Sequence, residues 1–168
     1  MVRERWETKV NQTPFMQQLT AGKLPLKVLQ TFFRNWGAYT IEINTLTACT
    51  YHKNLTFFKV HRDLMGPIGE KIADEFIHPK PPGHFLVMLQ TAKAFGLTEE
   101  EVFSTSMLSE FRAKIDFMRS IVYEGTAAEW YASVTTEEQI GYWSAVCYKA
   151  LTTHYEFDRE KATYFGTH

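Results

Sequence analysis

Between residues 25 and 52, Leu26, Leu29, Phe33, Trp36, Thr40, Ile43, Leu46 and Thr47 recur at steps of three and four. Side chains at that period share one face of an α-helix, so the stretch predicts a long amphipathic helix. Gly22 and Pro25 mark its start. Everything downstream follows the same period. A second helical stretch runs over about 57–77, until the proline-rich turn at 79–83 stops it, because proline lacks an N–H and disfavours helix in the residue before it. Phe85, Leu86, Met88, Leu89, Ala92 and Phe95 predict one helix ending at Gly96. Thr98 with Glu101 forms a capping-box pattern that opens a helix over about 99–123, and Gly125 breaks it. Ile140, Trp143, Ala145, Val146 and Leu151 mark a further helical region, and Asp158 has the character of an N-cap for a last segment, 159–168.

The longest strand candidate, Ile121-Val122-Tyr123, is too short to count. The expected fold is therefore all-α, a bundle of six to seven helices in one domain over 1–168. Hydrophobic residues make up 45% of the chain and aromatic residues 15%, which argues against disorder. The formal net charge is -1 with Lys and Arg scattered, so no basic stripe is available for nucleic acid. Neither a signal peptide nor a membrane-length apolar run is present, so a cytoplasmic protein without a membrane role is expected. Cys49 and Cys147 lie within apolar periodic segments, as buried thiols of such a protein would.

Against this apolar background the segment DEFIHPKPPGH, residues 74–84, gathers Asp74, Glu75, His78 and His84 around a turn. Glu137 and Glu138 follow about fifty-three residues after His84, and His168 about thirty after those. Carboxylates and imidazoles projecting inward from several helices are how bundles build metal centres. An oxygen-rich set with imidazoles suits redox-active iron or manganese better than zinc. Glu75 and His78 also have a ligand spacing on one helix, which keeps His78 open as an alternative to His84. Thr135 and Glu138 form a capping box, which gives Glu138 a structural job and leaves Glu137 for metal. Thr126 with Glu129 can cap in the same way, while His52 and His61 have no partner at useful spacing.

This order and spacing resembles the haem-oxygenase-like superfamily, and within it the non-haem diiron oxidases and oxygenases. HFLVMLQTAKAFGL looks like the helix that carries their ligand His, and THYEFDREKATYFGTH looks like the approach to their final motif. EEQIGYWSAVC is similar to the segment around the second Glu of an iron-dependent fatty-acid decarboxylase that forms 1-undecene. The resemblance covers nearly the whole chain from about Pro14. It implies that Glu75, His84, Glu137 and His168 are metal ligands and that the cofactor is two iron ions. It also implies an Asp four residues and a His seven residues beyond His168, so the functional product is expected to continue, and these 168 residues to hold one iron or none. His154 with Asp158 imitates the same motif in a second register, but Lys161 then stands where the last His should be.

The implied activity is oxidation of a small carboxylate- or amine-bearing substrate by dioxygen, with homodimerisation left open. Phe33, Trp36, Tyr39 and Trp143 would wall the substrate pocket, and Tyr123 and Tyr164 are further candidates to approach it. Glu42, on the same helix as Trp36, would either hold an amine or face solvent, the latter being favoured. The alternatives within the superfamily are metal-free thiamine hydrolases of the TenA type, the cofactorless oxidase of pyrroloquinoline-quinone synthesis, and a non-catalytic interaction protein like the chlamydial death-domain-associating relative. The thiamine enzymes need a nucleophilic Cys in the stretch that here reads EWYASVTTEEQ and has none.

Overall fold

The computed structural model describes residues 1–78, 83–134 and 136–166, with only the backbone of Thr136. Eleven α-helices can be followed: α1 (Val2–Arg5), α2 (Pro14–Thr20), α3 (Leu26–Lys53), α4 (Leu55–Val60), α5 (Met65–Phe76), α6 (His84–Ala94), α7 (Glu99–Phe103), α8 (Ser109–Glu124), α9 (Ala127–Val134), α10 (Thr136–His154) and α11 (Thr163–Gly166). No strand occurs among the described residues. The expected all-α bundle is therefore the fold, with more and shorter helices than the periodicity alone suggested. None of them, among the described residues, is long and apolar enough to cross a membrane.

The centre is α3, about 42 Å long at 1.5 Å per residue. It packs along α8, α6, α7 and α5. Its first half sits in the larger core, where Leu29 and Phe33 meet Met88, Phe95, Leu151 and Phe165. Its second half sits in a smaller core, where Leu46 meets Phe58, Ile68, Met118, Val122 and Trp130. Gly37 lets α3 approach α6 and α7 closely, since a Cβ there would collide with the side chains of Met88 and Val102. Between the two cores the buried face of α3 turns polar at Thr40, Asn44 and Thr47. That seam is where the cleft described below opens.

Two expected helices are interrupted. The stretch over 57–77 breaks after α4, passes through a 3-10 turn at Arg62–Leu64, and restarts as α5 with Pro67 in its first turn, where a missing N–H costs nothing. The stretch over 99–123 ends at Phe103 and restarts at Ser109. Buried Asn35, on α3, takes the freed Leu108 N–H onto its Oδ1 at 2.7 Å, and its Nδ2 donates to the Thr31 carbonyl at 2.8 Å. The capping boxes at Thr98–Glu101 and Thr126–Glu129 both form. Asp158 accepts from the Lys161 N–H at 2.8 Å, capping the turn that leads into α11. The remaining capping pair expected, Thr135–Glu138, involves a residue outside the described ones.

Candidate functional site

Glu75 lies in the last turn of α5 and is 7% exposed. Residue 84 opens α6, directly after Gly83, whose φ is +83°. A Cβ on Gly83 would stand 2.5 Å from the Phe76 carbonyl carbon and 2.9 Å from the Glu75 carbonyl oxygen. Only glycine suits both the backbone angle and this close approach. The consequence is that α6 starts against the end of α5, and His84 Nδ1 comes within 3.8 Å of Glu75 Oε2. Glu137 enters from the first turn of α10.

The group that joins these carboxylates is Lys71, one turn before Glu75 on α5. Its ammonium donates to Glu75 Oε1 at 2.6 Å and lies 3.4 Å from Glu137 Oε2. Burial pulls the Lys71 pKa down, but Glu137 and Glu75 more than offset this and hold it above its ordinary value. The bridge is therefore a charged one at neutral pH. Glu75 needs it, because a carboxylate removed from water is costly unless paired.

Around this pair runs a cleft with about 460 Å³ of open space including its mouth, lined among others by Trp36, Tyr39, Asn44, His84, Ile140 and Tyr164. A second opening, about 420 Å³ counting the solvent at its mouth, shares Tyr39, Lys71 and Glu137 with it and reaches Met118, Trp130 and Lys114. Tyr39 stands at the junction. Its phenol is pushed well above the ordinary value by burial and by the carboxylates of Glu137 and Glu75. Tyr164 Oη accepts a hydrogen bond from Trp36 Nε1 at 3.0 Å, and burial pushes its phenol up in the same way. Both remain neutral hydrogen-bond donors. Asn44 Nδ2, buried at the cleft wall, meets no hydrogen-bond partner among the described residues.

Three of the four expected ligands thus border one cleft; the fourth, His168, lies outside the described residues. Among the described residues no three His, Cys, Asp or Glu side chains are close enough together to hold a metal as they stand. The donor chemistry nevertheless fits a cation. Two carboxylates already converge on a positive charge with an imidazole nitrogen 3.8 Å from one of them, so Glu75, His84 and Glu137 are the residues that would hold it. Lys71 would have to withdraw.

The pocket expectation divides. Trp36 and Tyr39 line the cleft, whereas Phe33 and Trp143 are core residues behind it. Phe33 stacks on Phe95 with ring centroids 4.1 Å apart, and Trp143 packs on Phe165 and Trp36. On a helix three- and four-residue steps place neighbours on slightly different bearings, and Phe33 falls on the apolar side. Glu42 neither faces solvent freely nor holds an amine. It accepts two hydrogen bonds from Arg112, each at 2.8 Å, tying α3 to α8. His78 lies beyond α5, with its N–H on the Ala73 carbonyl, and does not line the cleft. Glu138 accepts from Tyr142 Oη at the surface. His52, His61 and His154 are exposed, and exposed Tyr123 sits against Cys49. Lys71, Asn44 and Thr47 were not anticipated. Their signal was present as positions sharing a helical face with Glu75, and with Tyr39, Thr40 and Ile43.

An all-α bundle with a polar cleft between its central helix and three others is a haem-oxygenase-like architecture. The profile of the TENA/THI-4/PQQC family matches residues 1–166. The chain belongs to that family, which lies within the haem-oxygenase-like helical superfamily and whose members are usually enzymes. No curated protein matches it.

Proposed function

We propose that the chain is an iron-dependent oxidase or oxygenase that uses dioxygen on a small carboxylate- or amine-bearing substrate. The observation supporting this most is the convergence of Glu75, His84 and Glu137, from three helices, on one cleft where an ammonium bridges the two carboxylates. Lys71 then stands in for the metal charge when metal is absent. Glu75, His84 and Glu137, with His168, would hold iron, two ions being the full complement expected. Iron(II) held by such donors supplies the electrons that activate dioxygen.

The chain's own residues do the rest. Lys71, displaced from the carboxylates, remains in the cleft as a cation able to hold an anionic group or deliver a proton. Tyr39 and Tyr164 stay protonated, which leaves each with an O–H able to donate to a bound molecule, and Trp36, Ile43 and Ile140 limit water.

A second reading, a metal-independent enzyme of the same family, is favoured by the 2.6 Å Lys71–Glu75 bond, which neutralises the site without metal. The family match fits this reading at least as well as the iron-dependent one, although Cys147 is poorly placed to be the nucleophile of a thiamine hydrolase. Cys147 is fully buried and burial keeps its thiol well above the ordinary value. A purely structural helical protein has no need of a charged cleft that leaves Glu75 almost wholly out of water. Oxygen uptake separates these readings. Protein loaded anaerobically with iron(II) and then mixed with dioxygen and candidate substrates should consume oxygen in a substrate-dependent way, and chelator should abolish it. Turnover that persists in chelator favours the metal-independent enzyme.

A further inference from the structure

Helix α3 and the residue that caps its end carry three asparagines, and two of them satisfy their side-chain amides on the helix itself. Asn35 Nδ2 donates to the Thr31 carbonyl at 2.8 Å and Asn54 Nδ2 to the Thr50 carbonyl at 3.0 Å, each one turn back. Asn44 does not follow them. It is 4% exposed, and its Nδ2 is buried with no hydrogen-bond partner among the described residues. It borders the cleft, on the polar seam of α3 between Thr40 and Thr47. A buried donor without an acceptor costs the folded chain free energy, and such donors are rare enough to need a reason.

The charges around it are already matched. Lys71 lies between Glu75 and Glu137, and the Glu137 carboxylate also attracts Lys114 in the second opening. Two ammoniums therefore balance two carboxylates, and a further carboxylate would upset that balance. What remains unmatched is neutral. Tyr39, five residues before Asn44 on α3 and in the same lining, keeps its phenolic proton and donates no hydrogen bond among the described residues. Neutral donors held out of water call for a neutral acceptor, and a carbonyl oxygen offers two lone pairs. We infer that Asn44 is a specificity-determining residue whose side-chain N–H donates to an uncharged carbonyl oxygen, of an amide or a ketone, that the substrate carries beside its charged group. The terminal torsion of asparagine is soft, so the amide turns to meet the oxygen without moving α3. A substrate lacking that carbonyl leaves the donor unmet and binds more weakly. The assignment deepens the oxidase reading and rests on it for the reaction, though not for binding.

NMR titration of metal-free, ¹⁵N-labelled protein tests the subsite. The probes are acetophenone and benzamide, with α-methylstyrene as the control in which CH₂ replaces the acetophenone oxygen. At least one carbonyl probe should bind and move the Asn44 side-chain NH₂ signals, which are identified by their loss in Asn44→Leu. That variant should weaken the same probe about fivefold or more, as loss of one hydrogen bond gives, and leave the affinity for α-methylstyrene unchanged. Asn44→Ala serves where the leucine variant fails to fold. Absence of binding by both carbonyl probes, unmoved Asn44 signals, or equal weakening of acetophenone and α-methylstyrene would overturn the assignment. Iron content of the same proteins separates the two proposals. Wild type that binds a carbonyl probe through Asn44 but no iron would leave the subsite standing and remove the oxidase.

Discussion

Replacing Lys71 by methionine isolates the charge that balances the cleft. The substitution keeps much of the side chain's apolar volume but leaves the Glu75 carboxylate, whose side chain is 9% exposed, without its 2.6 Å donor. Removing one partner of a buried ion pair typically costs about 3–5 kcal/mol. The Lys71 side chain is 28% exposed and Glu137 47%, so water screens part of the charge and the lower end applies, about 3 kcal/mol. For a chain of this size that lowers the melting temperature by roughly 6–12 °C. Glu75→Gln added to Lys71→Met removes the stranded charge and should recover about 2 kcal/mol of the loss. Urea denaturation of the wild type, the single variant and the double variant measures all three. Anaerobic iron(II) should stabilise Lys71→Met more than wild type, because the competing ammonium is gone. A single variant as stable as wild type, or a double variant no more stable than the single, would refute the argument that Lys71 compensates a buried carboxylate.

Two other perturbations probe how the site is held. Tyr39, Tyr164 and Lys71 all hold their protons more tightly in the folded chain than free side chains do. The stability they contribute is therefore fully present below about pH 10 and lost as pH rises above it; urea midpoints between pH 8 and 11 should fall, and less steeply in Tyr39→Phe/Tyr164→Phe. Gly83→Ala places a Cβ against the Phe76 and Glu75 carbonyls at a φ of +83°. It should cost about 1–3 kcal/mol and weaken binding of any cation shared by Glu75 and His84, read by melting and by metal titration.

The legibility of the chain varied with the range of the interactions involved. The helix expected over 25–52 is observed as Leu26–Lys53 because its buried positions recur at steps of three and four along its whole length, through the polar stretch at Thr40, Asn44 and Thr47. The two capping boxes and the turn at Asp158 were equally readable, since each is a contact across three residues. The break between α7 and α8 was not, because the residue that stabilises it, Asn35, is 73 positions away from Leu108. At the site, Glu75, His84 and Glu137 stand out as polar residues among helical apolar ones, and the resemblance implies their grouping; the structure brings them to one cleft. Lys71 carries no ligand signal in the sequence, because an ammonium does not bind metal, although its four-residue step to Glu75 puts both on one face. Phe33 differs from Trp36 only in its bearing on α3, and Trp143 reaches the same core from α10, so sequence alone does not separate core from pocket at either. The Glu42–Arg112 pairing could not be read from either helix alone.

Iron bound per chain after anaerobic reconstitution tests the central proposal most directly, compared among wild type, Glu137→Ala and Glu138→Ala. Glu137 faces Lys71 in the cleft, while its neighbour in sequence accepts from Tyr142 at the surface. Bound iron is expected in wild type, with loss of most of it in Glu137→Ala and retention in Glu138→Ala. Wild type without iron, or equal iron in all three proteins, would contradict it.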